Sequence, residues 1–86
     1  MTAKVEMYSK MFCPFCIRAK ALLESKGVEI IDIPASGDAE KRKEMNQRSN
    51  GRNTFPQIFI NGKHVGGSDD LAALERAGKL DAMLAG

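Results

Sequence analysis

Two cysteines two residues apart, in Cys13-Pro14-Phe15-Cys16, are the only thiols of this 86-residue chain and its strongest candidates for covalent chemistry. They follow a segment of strand-like alternation and open one of helical periodicity. A thiol just ahead of a helix faces that helix's unpaired N–H groups and positive dipole end, which stabilise a thiolate over a thiol. Cys13 is therefore the expected nucleophile. Pro14 suits the first helical position, where its missing N–H is no loss. Cys16 lies one turn further in, within reach of a disulfide with Cys13 and expected to be the more shielded of the two. Such a pair can be redox-active, metal-binding or structural. A two-residue loop constrains an unfolded chain very little, which argues against a structural disulfide. Zinc would want four ligands, and two cysteines, His64 and scattered carboxylates form no recognisable set.

The flanking segments read as the elements that hold this pair. Ala3, Val5 and Met7 alternate with Lys4, Glu6 and Tyr8, the period of a strand with one face on a core. Cys16, Ala19 and Leu23 then share one helical face with Leu22 beside them, and Gly27 follows as a C-terminal glycine. Val28 to Ile33 is rich in β-branched residues and reads as a second strand, ended by Pro34. A strand, helix and strand joined this tightly imply a right-handed parallel crossover. Ser36 to Ser49 reads as a surface helix with few apolar residues. Gln57-Ile58-Phe59-Ile60 is apolar at consecutive positions, as a strand buried on both faces would be, and Asn61-Gly62 suits a two-residue hairpin turn into Lys63 to Gly66. Ser68 is the expected N-cap of a helix carrying Asp69 and Asp70 in its first turn and Leu71 and Leu74 on its apolar face. Beyond Gly78, Leu80, Met83 and Leu84 suggest a short closing helix. The expected fold is α/β, one domain over 1–86, ordered β-α-β-α-β-β-α plus a short C-terminal helix, with a four-stranded mixed sheet flanked by helices.

A net charge of +2 without basic-aromatic clusters gives no case for nucleic acid. No apolar run is long enough to span a bilayer, and Met1 to Glu6 lacks the apolar core of a secretory signal. The expected compartment is the cytoplasm, where a cysteine pair is more often catalytic than structural.

Lys10 to Cys16, Thr54-Phe55-Pro56 and Gly66-Gly67-Ser68-Asp69-Asp70 together resemble the glutaredoxins, specifically the bacterial-type dithiol class with the thioredoxin fold. The resemblance runs from the first strand to the helix after Ser68. It implies a glutathione-dependent thiol-disulfide oxidoreductase, with Cys13 as nucleophile, Cys16 as resolving thiol, and glutathione as reducing co-substrate in place of any permanently bound cofactor. It further implies a cis bond before Pro56, a backbone pairing of Phe55 with the cysteinyl part of glutathione, and Thr54 beside it. Gly67, Ser68 and Asp69 would receive the γ-glutamyl end, and Lys10 the glycine carboxylate. On the residues alone, Pro56 reads as an ordinary trans proline opening a strand, and Ser68-Asp69-Asp70 as a plain helix cap. The resemblance makes Arg42 and Lys43 further candidates for the glycine carboxylate, although on the residues alone they read as a solvated helix face.

Two positions depart from the family pattern. Phe15 stands where many dithiol members have tyrosine, so a hydroxyl is lost although the ring can still cover the sulfurs. Phe55 replaces a more usual valine. Both bear on substrate preference. His64 reads as a surface residue without an acid-base partner. The implied partners are glutathione and glutathionylated or disulfide-containing proteins, with ribonucleotide reductase among the family's possibilities, and the chain is expected to be monomeric. The alternative is an iron–sulfur carrier in which Cys13 of two chains and two glutathiones hold a cluster. Thioredoxin itself fits less well, since the chain is short and has no tryptophan.

Overall fold

The computed structural model describes residues 3–86, so the reading of Met1 and Thr2 lies outside the described residues. Its elements are β1 (Val5–Ser9), α1 (Pro14–Ser25), β2 (Ile30–Pro34), α2 (Ala39–Arg48), β3 (Gln57–Ile60), β4 (Lys63–Gly66), α3 (Ser68–Arg76) and α4 (Leu80–Ala85). The four strands form one sheet in the order β2-β1-β3-β4. β1 runs parallel to β2, from Val5↔Ile30 to Ser9↔Pro34, and antiparallel to β3, from Val5↔Ile60 to Tyr8↔Gln57. β3 and β4 form the expected hairpin, and Asn61 and Gly62 both take positive φ, 52° and 81°, as a two-residue turn of this kind requires. The mixed sheet flanked by helices is the one that the element order implied, and it has the thioredoxin-type architecture that the family resemblance implied.

Alternation along β1 divides the interior in two. Val5 and Met7 join Ile58 and Ile60 of β3 under α1 and α3, where Ala19, Leu23 and Leu71 close the larger cluster, and Leu80 and Leu84 of α4 extend it. Tyr8 and Phe59 point the other way, packing edge to face at 5.7 Å with Met45 of α2 and Ala35. All four residues of β3 are buried, so its consecutive apolar pattern does mark a strand covered on both faces.

Element ends move where pairing or capping outweighs pattern. β2 begins at Ile30 rather than Val28, because β1 offers no partner before Val5; Val28 is buried under the larger cluster instead. α2 begins after Asp38, whose carboxylate accepts the N–H groups of Glu40 and Lys41 at 3.1 Å each. Met45 is that helix's one buried residue, as a surface helix allows.

So lightly buried a helix needs a second attachment, and Arg48 supplies it. Its guanidinium donates to Tyr8 Oη at 2.8 Å and to the two Glu6 carboxylate oxygens at 3.0 and 3.3 Å, while lying 4.1 Å from the Phe59 ring centroid. The hydrogen bond from Arg48 holds the Glu6 carboxyl below its ordinary 4.5, against the opposing effect of desolvation. Arg48→Ala is expected to cost about 2 kcal/mol in urea unfolding, because it strips the half-buried Glu6 carboxylate and the buried Tyr8 of their donor. A depressed folded pKa means the pair's contribution is present above pH 4.5 and is lost as the pH falls through the folded value. Stability of Glu6→Gln should accordingly fall less steeply below that pH than the parent's, and equal slopes would show that the pair adds nothing.

Candidate active site

Cys13 is the N-cap of α1, in extended conformation at φ −110° and ψ 101°, and Pro14 takes the first helical position. The two cysteines are paired as a disulfide with their Cα atoms 5.2 Å apart. Cys13 Sγ accepts the Cys16 backbone N–H at 3.1 Å, so the first turn of α1 directs a donor at the expected nucleophile. The expected difference in shielding is corrected: Cys13 is 2% exposed and Cys16 5%. Bonding to Cys16 and the contact with its N–H draw the Cys13 side chain against the helix. The exposed surface falls to its neighbours Met11, Phe12, Phe15 and Ile17. Both sulfur-bearing residues still line a cavity of about 160 Å³ shared with Lys10, Phe12 and Ile17.

The Phe55-Pro56 peptide bond is cis, as the resemblance implied and against the trans reading of the residues alone. Pro56 is buried, Phe55 half-buried and Thr54 exposed, and together they form one wall of a cavity of about 270 Å³. Phe15 forms another wall, with the Arg18 guanidinium 5.7 Å from its ring centroid. The third is the start of α3, with Gly67, Ser68 and Asp69. A Cβ on Gly67 would come within 3.4 Å of the Pro56 carbonyl oxygen, so the lack of a side chain keeps these two walls close.

The cap of α3 differs from expectation. Gly67 is the N-cap and Ser68 the first helical residue, largely buried. Asp70 makes the capping bond, accepting the Gly67 N–H at 2.9 Å, and also faces Arg52 Nη1 at 3.2 Å. The Gly67 hydrogen bond first, then Arg52, hold the Asp70 carboxyl below its ordinary range. Both Asp69 and Asp70 are exposed at the cavity, but Asp70 is engaged by the cap and Arg52.

On the other side of Phe55 lies a second cavity, about 450 Å³, lined by Lys10, Arg42, Ser36 and Asn53 as well as Thr54 and Phe55. Lys10 Nζ is 6.0 Å from the Phe55 ring centroid. Lys10 is therefore gathered with the other predicted residues, although in the neighbouring hollow. Arg42 lines that hollow too while remaining on the exposed face of α2, and Lys43, also exposed, lines neither cavity.

Sequence reasoning missed three residues. Arg52, in the loop before β3, lines the first cavity and braces Asp70; a cation just ahead of Thr54-Phe55-Pro56 was its only signal. Gln57 is fully buried and bonds Thr54, and its signal was a polar residue inside an apolar run. His64 is corrected from a surface residue to a half-buried one that contacts Gln57 at 2.7 Å and lies over Phe59, with centroids 5.0 Å apart. Alternation places it inward, on the same face as Phe59.

The family model described as Glutaredoxin matches residues 5–65. Glutaredoxin 3 of Escherichia coli (strain K12) is 57% identical over 82 residues, covering 95% of this chain and 98% of that protein. A glutaredoxin of Pseudomonas aeruginosa is 54% identical over 80 residues, covering 93% and 94%. Among solved structures, the glutaredoxin of Brucella melitensis superposes with a TM-score of 0.81 at 58% identity, over 94% of this chain and 87% of that one. The buckwheat glutaredoxin–glutathione complex gives a TM-score of 0.85 at 31% identity, over 96% and 77%.

Gly66 sits behind this site at φ 118°, where a Cβ would meet Asp70 Oδ2 at 2.3 Å. Gly66→Ala is expected to destabilise by about 2 kcal/mol or more in denaturant unfolding, through positive φ and the displaced Asp70 cap together. Adding Asp70→Ala should relieve the steric part alone, leaving a double variant less impaired than additivity requires. Strict additivity would show that the clash does not matter.

Proposed function

The chain belongs to the glutaredoxin family and is a thiol-disulfide oxidoreductase, and from this premise we propose that glutathione is its reductant and glutathione mixed disulfides its principal substrates. One observation carries the reading: Phe55 lies between two cavities whose linings differ as the two ends of glutathione differ. The hollow with Lys10 and Arg42 suits the lone glycine carboxylate. The hollow at the start of α3 offers helix N–H groups to the γ-glutamyl carboxylate and the Asp69 carboxylate to its ammonium. The backbone of Phe55 between them would pair with the cysteinyl peptide groups, a short form of strand addition. That the buckwheat relative is known in complex with glutathione supports glutathione as the ligand.

In the reduced protein, the N-cap position and the Cys16 N–H favour a Cys13 thiolate. It attacks the glutathione sulfur of a mixed disulfide in line with the breaking S–S bond. The substrate thiolate leaves and takes a proton from solvent, and Cys13 is left joined to glutathione. A second glutathione thiolate attacks the bound glutathione sulfur, forming glutathione disulfide and restoring the Cys13 thiolate. With a protein disulfide, Cys13 instead forms a mixed disulfide with the protein. Cys16, having lost its proton, then attacks Cys13 Sγ, expelling the protein thiolate and closing the Cys13–Cys16 bond seen here. Two glutathiones reduce it in turn.

A glutathione-coupled assay on a small glutathione mixed disulfide, run beside reduction of a protein disulfide, tests both routes. Cys13→Ser should lose about 10³-fold or more in both, because it removes the nucleophile itself. Cys16→Ser should keep the first reaction within a few-fold and lose most of the second. Retained activity in Cys13→Ser would overturn the assignment of the nucleophile, and failure of glutathione to support turnover of the parent would overturn that of the reductant.

A further inference from the structure

Thr54 and Phe55 form the ridge between the two hollows, yet they belong to an irregular loop with no strand to hold them. Their restraint comes from below. Gln57 Nε2 donates to the Thr54 carbonyl oxygen and to Thr54 Oγ1, each at 3.0 Å. Since the carboxamide nitrogen is committed to Thr54, its oxygen faces β4 and meets His64 Nε2 at 2.7 Å. An amide oxygen only accepts, so that imidazole nitrogen must carry a proton. The ring is in turn fixed against Phe59. We infer that Gln57 and His64 are positioning residues for glutathione binding: a part-buried relay, His64 Nε2–H to Gln57 Oε1 and Gln57 Nε2–H to Thr54, sets the height and orientation of the Thr54–Phe55 backbone that receives the ligand.

The relay rests on the proposed reading of that segment as the glutathione contact. Neither side chain lines the two hollows beside Phe55, so both act through Thr54. Burial first, and then the charge of Arg52, hold the imidazole below its ordinary 6.5, so it is neutral at pH 7 with Asp70 opposing only in part. A single protonated nitrogen, on Nε2, then serves the relay.

The test pairs kinetics with the protonation state of the ring. His64→Phe keeps a ring over Phe59 and removes the donor; it should raise KM for a glutathione mixed disulfide about fivefold, the loss of one hydrogen bond's worth of ordering, with kcat within twofold. His64→Gln carries an N–H at the reach of Nε2 and should restore KM to within twofold, whereas the shorter His64→Asn should not. Gln57→Leu, if it folds, should resemble His64→Phe. An unchanged KM in folded His64→Phe, or a loss confined to kcat, would overturn the relay. Nitrogen-15 spectra of the parent imidazole should show Nε2 protonated and Nδ1 bare, and the opposite tautomer would overturn the relay whatever the ligand. Absence of turnover of the mixed disulfide by the parent would instead sink the glutathione reading, a failure separable from that of the hydrogen-bond chain.

Discussion

The antiparallel pairing of β1 with β3 is the constraint on which the site depends. Tyr8↔Gln57 sets the end of β1 beside the beginning of β3, so the loop that leaves β1 toward Cys13 lies next to the turn that enters β3 through Phe55-Pro56. β3 then pairs with β4 so that Gly66, at the far end of β4, comes back beside Ile58, and the chain passes directly into the start of α3. Three segments far apart in sequence thus arrive at one end of the sheet. A one-residue slip of β3 would turn Ile58 and Ile60 out of the larger core and carry Phe55 away from the cysteines, so core burial and site geometry enforce the same register.

Around that scaffold, charge and exposure are divided. Paired charges serve the framework: Arg48 ties α2 to Glu6 and Tyr8, and Arg52 and Asp70 brace the cap of α3. Lys10, Arg42 and Asp69, which make no such ion pairs among the described residues, stand at the cavity walls as well, beside the Arg52–Asp70 pair that lines the first hollow. The segment before Cys13 is different again. Phe12 is 92% exposed and takes a φ of 54°, a conformation unfavourable for a bulky side chain. That backbone turn lets the loop leave β1 and present Cys13 at the head of α1.

Much of this was legible because it depends on local preferences and periodicity. Cys13-Pro14 announced a helix start, Asn61-Gly62 a tight hairpin, and the unbroken apolar run at Ile58-Phe59-Ile60 a doubly covered strand. The same reasoning erred where two good local candidates competed. Ser68 has the better side chain for an N-cap, but it is buried, and Asp70 caps Gly67 under the pull of Arg52 from another loop. Alternation sets His64 on one face of its strand, but that this face is covered depends on Gln57 and Phe59, which belong to the neighbouring strand.

The sequence by itself determined the redox-active cysteine pair, the order of the elements and the polar or apolar character of each, since thiol chemistry, φ preference and hydrophobic period are properties of a residue and its near neighbours. Family resemblance added the expected ligand contacts, including the cis bond before Pro56. Only the tertiary structure decided that both sulfurs are nearly enclosed, that Lys10 and Arg42 share one hollow while Asp69 stands at the other, and that Thr54 is held from beneath by Gln57 and His64. These are relations between side chains brought together by strand register and helix packing, and no local preference specifies which distant group a hydrogen-bond donor will meet.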